Sequence, residues 1–235
     1  MIRPEDSKLG NTQGHAAGSH VPTHVGLVPD GTRRWARRTG MTLSAAYDYT
    51  LDRVVEITDR LWNEGVQAVS IYLLSYKNLG RTAAELAPVY AAESRICRYG
   101  LAALTDAWDA RVTLVGELDL VPYELSAALA ALAERRPHGT RRLYLLAAYD
   151  PRLELLRHAG SLQHHRDNPL QALAVPEPLS LVIRTSGVCS LSDFLPLQSS
   201  YAEIRFVAEG INDITDDQIT QLLRDYSETE RRRGL

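Results

Sequence analysis

Apolar and polar positions along the chain follow two alternating rhythms. Short, mostly apolar runs of strand length stand at residues 24–29, 66–74, 111–115, 142–148, 179–183 and 203–207. Between them lie longer stretches whose apolar residues recur three and four apart, the spacing of a helix with one buried face. Residues 44–65 carry Leu51, Val54, Val55, Thr58, Leu61 and Trp62 at that spacing, with Gly65 as the stop. A Thr82-x-x-Glu85 capping box opens a helix predicted to run to about Trp108, bent near Pro88. Pro122 starts a helix reaching Arg135, Asp150-Pro151 caps another, and residues 215–231 form the last, while 158–178 read as irregular or partly helical. Strands alternating with long helices predict an α/β fold, a parallel β-sheet surrounded by α-helices on both faces.

Residues 1–23 mix charge, Gly, Asn and His with no apolar core, so they are expected to be a flexible lead-in rather than a signal peptide. The rest, 24–235, shows neither repeat nor linker and reads as a single domain. The richest apolar runs, 128–133 and 143–148, fall far short of the roughly 20 residues of a membrane span, so no integral membrane segment is expected. Cys97 and Cys189 lie far apart without a CxxC spacing, which supports neither a disulfide scaffold nor a zinc site and makes a cytoplasmic setting the expectation. A net charge of −3 gives no general affinity for nucleic acid. Of the 26 basic residues, all but Lys8 and Lys77 are arginine. A genome-wide coding bias is the bland explanation for most of that excess, but the planar guanidinium is the side chain best shaped for phosphate oxygens, so individual positions matter.

Ligands of parallel sheets collect beyond the carboxyl ends of the strands, and three such segments carry unusual chemistry. Asp30-Gly31-Thr32-Arg33-Arg34-Trp35 joins a close backbone turn, two arginines and a helix start, an anion site with one carboxylate at its mouth. A diphosphate bridged by magnesium is the simplest ligand with that combination. Ser75-Tyr76-Lys77-Asn78-Leu79-Gly80-Arg81 offers a hydroxyl, an amide and cations within one turn. Arg184-Thr185-Ser186-Gly187, followed by Ser192, Gln198, Tyr201 and Glu203, can again wrap phosphate oxygens. Taken singly, each segment also reads as an ordinary polar turn or a few buried polar residues. GxGxxG, GxxxxGK[ST] and GxSxG are all missing, and His164-His165 has no Cys or Glu partner at ligand spacing.

Together the three segments resemble the motifs of the cis-prenyltransferases, the undecaprenyl diphosphate synthase family. HVGLVPDGTRRWARRTG is similar to the opening motif, SIYLLSYKNLGR to the second, and LVIRTSGVCSLSDFLPLQSSYAEIRF to the last, in the right order across 24–235. The resemblance implies a sheet surrounded by helices with a hydrophobic tunnel, a homodimer, magnesium, and allylic prenyl diphosphates as substrates. It makes Asp30 the magnesium-diphosphate aspartate, Gly31, Thr32, Arg33 and Arg34 the loop around the allylic diphosphate, and Ser75, Asn78 and Arg81 polar groups of the same site. Arg184 and Ser192 match the second diphosphate site, Glu203 an acidic residue near the metal, and Arg232-Arg233-Gly234 a C-terminal Arg-x-Gly able to reach a phosphate across a dimer.

The departures from that pattern are informative. Tyr47 stands in place of the usual histidine, Leu43 of an arginine, Lys77 and Leu79 of Glu and Trp, and Val188 and Ser190 of Glu and Arg. Ser190 thereby removes a cation from the second diphosphate site. DGxRRW, Tyr47 and the stretch from Phe194 to Glu203 are similar to a smaller branch, the bacterial lavandulyl and cyclolavandulyl diphosphate synthases, which couple two short prenyl diphosphates head to middle. That branch is the expected function, with a proton relay through Ser75, Asn78, Gln198 and Tyr201. Regular short-chain elongation with isopentenyl diphosphate and a non-catalytic homologue are the alternatives.

Overall fold

The computed structural model describes residues 21–229. The lead-in up to residue 20, and Arg232 and Gly234, lie outside the described residues. Six parallel strands form one sheet: β1 (His24–Val28), β2 (Ala68–Tyr72), β3 (Ala110–Val115), β4 (Arg141–Leu146), β5 (Leu181–Arg184) and β6 (Glu203–Phe206), in the order β3-β4-β2-β1-β5-β6. Every residue of β1, β2 and β5 is buried, as strands covered on both faces must be.

Helices fill the connections: α1 (Thr32–Thr39), α2 (Leu43–Asn63), α3 (Ala83–Arg98), α4 (Gly100–Ala107), α5 (Tyr123–Ala133), α6 (Pro151–Arg157), α7 (Ala159–Leu162) and α8 (Asp216–Glu228). Thr42, Thr82 and Thr215 accept amides at the starts of α2, α3 and α8, the last two within reciprocal capping boxes. The helix expected to bend at Pro88 instead runs through it and breaks at Tyr99, where φ is −121° and ψ −72°. Pro88 sits in the second turn, where its missing amide forgoes a single bond to the first turn. At Gly100 a Cβ would lie 2.5 Å from the end of the Ile96 side chain, so any larger residue there would have to displace it.

The chain leaves β1 for β2 on one side and returns as β5 on the other, which makes the β1–β5 boundary the switch point of the sheet. The two departing segments are tied together. Thr185 Oγ1 accepts the Asp30 amide at 2.8 Å and donates to the Asp30 carbonyl at 2.9 Å. Behind them, Phe194 is fully buried against Gly26, where a Cβ would stand 2.6 Å from its ring. That contact folds the segment after β5 back over the sheet.

At the opposite edge, buried His24 shares a 2.9 Å hydrogen bond between Nε2 and Ser70 Oγ. Burial first, and then the charge of Arg142, pull its pKa down to about 3. Between about pH 6.5 and pH 3 the unfolded chain therefore binds a proton that the folded chain refuses, and stability falls as pH drops through that window. Thermal unfolding from pH 7 to pH 4 should show this loss, and His24→Gln should flatten it. An unchanged slope in the variant would remove His24 as its source.

Candidate active site

A cavity of about 710 Å³ opens at the carboxyl edge beside the switch point and draws its walls from all three segments singled out in the sequence. Asp30, Gly31, Thr32, Arg33 and Arg34 come from the β1 exit, Ser75, Asn78 and Arg81 from the β2 exit, and Arg184 and Ser192 from the β5 exit. Tyr47 and Leu43 of α2 and Glu85 and Val89 of α3 close the side.

Gly31 makes the first wall possible. Its φ is +107°, and a Cβ there would meet Gly210 Cα at 2.9 Å, so a side chain is excluded twice over. Gly31 caps α1 without a side-chain hydrogen bond, which leaves the first amides of the helix without a side-chain acceptor. Arg33 and Arg34 in that first turn oppose the helix dipole, an arrangement that suits a bound anion better than an isolated helix.

Asp30 Oδ1 accepts the Gly31 amide at 2.6 Å, and Oδ2 accepts Arg184 Nη2 at 3.2 Å. Arg184 is nearly buried, and its Nη1 donates to the Ser190 carbonyl at 2.5 Å and to Ser192 Oγ at 2.7 Å. Ser186, Ser192, Asp193 and Leu195 around it all have positive φ without being glycine. Such strain persists only where surroundings impose it. Here Asp193 is held by Lys77 at 2.7 Å and Arg152 at 3.2 Å. Lys77 thus bridges the second and third segments rather than facing the cavity.

Ser75 and Asn78 form a reciprocal cap: Ser75 Oγ accepts the Asn78 amide at 3.2 Å, and Asn78 Oδ1 accepts the Ser75 amide at 3.3 Å. Both line the cavity, with the Asn78 Nδ2 hydrogens left over and the Ser75 hydroxyl on the Tyr72 phenol. Burial raises the Tyr47 phenol above its ordinary pKa, while the charges of Arg81 and Arg33 pull it the other way. Arg33 pairs with Glu85 at 3.0 Å. Arg33, Arg34, Arg37, Arg81 and Arg184 face only two carboxylates, Asp30 and Glu85, a local positive excess on a chain whose net charge is −3. Arg37 was not singled out in the sequence, although it follows Arg33 by one helical turn and so shares its face.

Other expected site residues stand elsewhere. Trp35 stacks on Tyr49 with ring centroids 5.1 Å apart and pins α1 to α2. The Thr32 hydroxyl is committed to Thr50 at 2.9 Å, and Thr50 in turn donates to Asn212 at 2.7 Å, so the Thr32 backbone is what the cavity meets. Ser190 turns its carbonyl onto Arg184 and acts by holding it. Gln198 is buried with its amide on the Val175 carbonyl at 3.1 Å, Tyr201 is 90% exposed, and Glu203 pairs with Arg205. The turn carrying them enters β6 and therefore lies at the amino edge. Glu203 is level with Leu181 and, through it, with Val25. Asp30 is five residues further along, about 16 Å at strand spacing. Within one chain, then, Glu203 cannot share a metal with Asp30, and the expected relay through Gln198 and Tyr201 is not assembled.

The geometry defines an α/β protein with an arginine-lined cleft at its switch point and Asp30 at the mouth. Residues 28–234 match the model of a family described as undecaprenyl diphosphate synthase, and the chain belongs to that family of prenyltransferases. It is 32% identical to isoprenyl transferase 1 of Corynebacterium efficiens, over 92% of this chain and 91% of that one. It is 30% identical to a tritrans,polycis-undecaprenyl-diphosphate synthase (geranylgeranyl-diphosphate specific) of Methanopyrus kandleri, over 91% and 85%. The crystal structure of lavandulyl diphosphate synthase from Lavandula x intermedia in complex with dimethylallyl diphosphate superposes with a TM-score of 0.81, covering 90% of this chain and 97% of that one. At 20% identity that likeness shows the fold. The protein is a prenyl diphosphate synthase of the cis-prenyltransferase family.

Proposed function

We propose that this enzyme joins two short allylic diphosphates by irregular, head-to-middle coupling to give a branched, lavandulyl-type diphosphate. The observation that carries this reading is the state of the second cationic wall. Ser190 offers a carbonyl and a hydroxyl to Arg184, so that wall keeps one guanidinium at the position where regular family members hold isopentenyl diphosphate with more. The names of the curated relatives support the alternative, regular cis-elongation with isopentenyl diphosphate.

In this reading Arg33, Arg34 and the first amides of α1 grip the allylic diphosphate, while Leu43, Leu74 and Val89 surround the hydrocarbon and keep water from the allylic cation. Asp30 is the residue that would hold magnesium. One carboxylate beside a cationic diphosphate pocket fits an ion whose other ligands are phosphate oxygens and water. Bound there, magnesium supplies neutralisation of the oxygens that gain charge as the carbon–oxygen bond breaks. Arg184 and Ser192 hold the second ester. As the allylic carbon–oxygen bond breaks, diphosphate leaves with the electron pair, and the second double bond attacks to form the new carbon–carbon bond. The resulting tertiary cation gives its proton to a diphosphate oxygen kept in place by the Asn78 amide.

A homodimer belongs to the same proposal. Among the described residues no helix is long and apolar enough to cross a membrane. The test is incubation with dimethylallyl, geranyl and isopentenyl diphosphates, singly and in pairs, with product identification. Irregular coupling predicts a branched ten-carbon diphosphate from dimethylallyl diphosphate alone. Product that forms only when isopentenyl diphosphate is present would establish regular elongation instead, and turnover of none would indicate a non-catalytic homologue.

A further inference from the structure

Tyr72 closes β2 and lines the cavity just ahead of the Ser75 segment. It is buried, with its ring 5.3 Å from that of Phe194 and set edge-on, at 6.3 Å, to that of Tyr149. Its hydroxyl donates to the Ser192 carbonyl at 3.2 Å and accepts a hydrogen bond from the Ser75 side chain. Ser192 is thereby held at both ends, by its carbonyl on Tyr72 and by its Oγ on Arg184. We propose that Tyr72 is a positioning residue for the second ester: by fixing the peptide between Ser192 and Asp193, it keeps Ser192 Oγ and the Arg184 guanidinium at a set distance from the allylic site. The inference rests on the reading of the cavity as a site for two diphosphate esters and adds a residue that places the second of them.

The backbone shows why such a tie is needed. With φ at +50° for Ser192 and +66° for Asp193, that peptide joins two residues in a conformation that side chains rarely adopt. Lys77 and Arg152 hold the Asp193 carboxylate, but both are well exposed, and an exposed ion pair contributes little. Tyr72 acts from beneath, on a ring fixed by its aromatic neighbours. Burial pushes its phenol well above the ordinary pKa, so near neutral pH it keeps the proton that the Ser192 carbonyl accepts. That proton being committed, the Ser75 hydroxyl is the donor in the other bond. One phenol oxygen therefore joins the exit of β2, beside the allylic ester, to the exit of β5, beside the second. Coupling needs the reacting carbons within about 3.5 Å of each other, so the spacing of the two walls matters to the reaction.

Tyr72→Phe keeps the ring and removes only the oxygen. The unreactive thiolodiphosphate analogue of dimethylallyl diphosphate, with magnesium, is titrated calorimetrically into the full-length wild type, Tyr72→Phe and Tyr149→Phe, and each protein is melted. Tyr149→Phe is the control: it deletes a phenol of the same aromatic cluster, bonded to Glu154 at 2.7 Å and not part of the cavity wall. Both variants should melt lower than the wild type, since each leaves a carbonyl or carboxylate oxygen without its donor. The wild type should take up two equivalents. Tyr72→Phe should bind the first within about twofold of the wild type and the second about tenfold more weakly, whereas Tyr149→Phe should leave both steps unchanged. Equal weakening of both steps in Tyr72→Phe, weakening of neither, or the same split in Tyr149→Phe would overturn the positioning role while leaving the two sites intact. A wild type that takes up one equivalent or none would overturn the two-ester reading itself, and the positioning role with it.

Discussion

Replacing Asp30 by alanine should lower turnover about a thousandfold while moving the melting temperature by only a few degrees. The separation follows from how the residue is held. The backbone of Asp30 carries the turn: its amide donates to Thr185 Oγ1, and its carbonyl accepts both that hydroxyl and the Ile211 amide at 3.0 Å. All three contacts survive the substitution. The side chain gives up one bond to the Gly31 amide and one to Arg184, at a group more than a third exposed. The chemical loss is far larger, because no other carboxylate lining the cavity stands at the start of α1, where the leaving diphosphate gathers charge. Asp30→Asn retains an oxygen for the Gly31 amide but no charge, so it should be nearly as slow. Release of inorganic diphosphate from dimethylallyl diphosphate measures both. Rates within tenfold of the wild type would show that the carboxylate takes no part in leaving-group departure.

Arg184→Met is the second large effect, expected to lower kcat/KM for the second ester a hundredfold to a thousandfold. Methionine keeps the length and apolar stem of the side chain. It cannot replace donors to the Ser190 carbonyl, Ser192 Oγ and Asp30 Oδ2, all served by one guanidinium. Three acceptors lose their partner at once, so a drop in stability should accompany the kinetic loss. Arg184→Lys separates the two. It restores charge without the planar fork and should recover melting better than rate. Steady-state kinetics with the first ester saturating read the effect. Full activity in Arg184→Lys would mean that charge alone suffices and that the clamp on Ser190 and Ser192 is incidental.

The central strands were legible because parallel, doubly covered strands must be apolar throughout, and each of the six expected runs overlaps an observed strand. The first two site segments were legible for a related reason: turn chemistry directly after a strand places Asp30, Arg33, Arg34, Ser75, Asn78 and Arg81 at the carboxyl edge. The 198–203 residues were grouped with the Arg184 segment because they follow it in the chain, while their place before β6 puts them at the other edge. The break at Tyr99 was missed because Pro88 is the louder signal in sequence, yet the helix runs through Pro88 and yields one residue before Gly100.

The account stands on the switch-point cleft being a diphosphate site with two cationic walls. A crystal structure with magnesium and a non-hydrolysable thiolodiphosphate analogue of dimethylallyl diphosphate tests that directly. The predicted result is one diphosphate on the first amides of α1 beside Arg33, Arg34 and an Asp30-bound ion, and a second against Arg184 and Ser192. Diphosphate density away from the Asp30 loop, or an ion bound without Asp30, would contradict it.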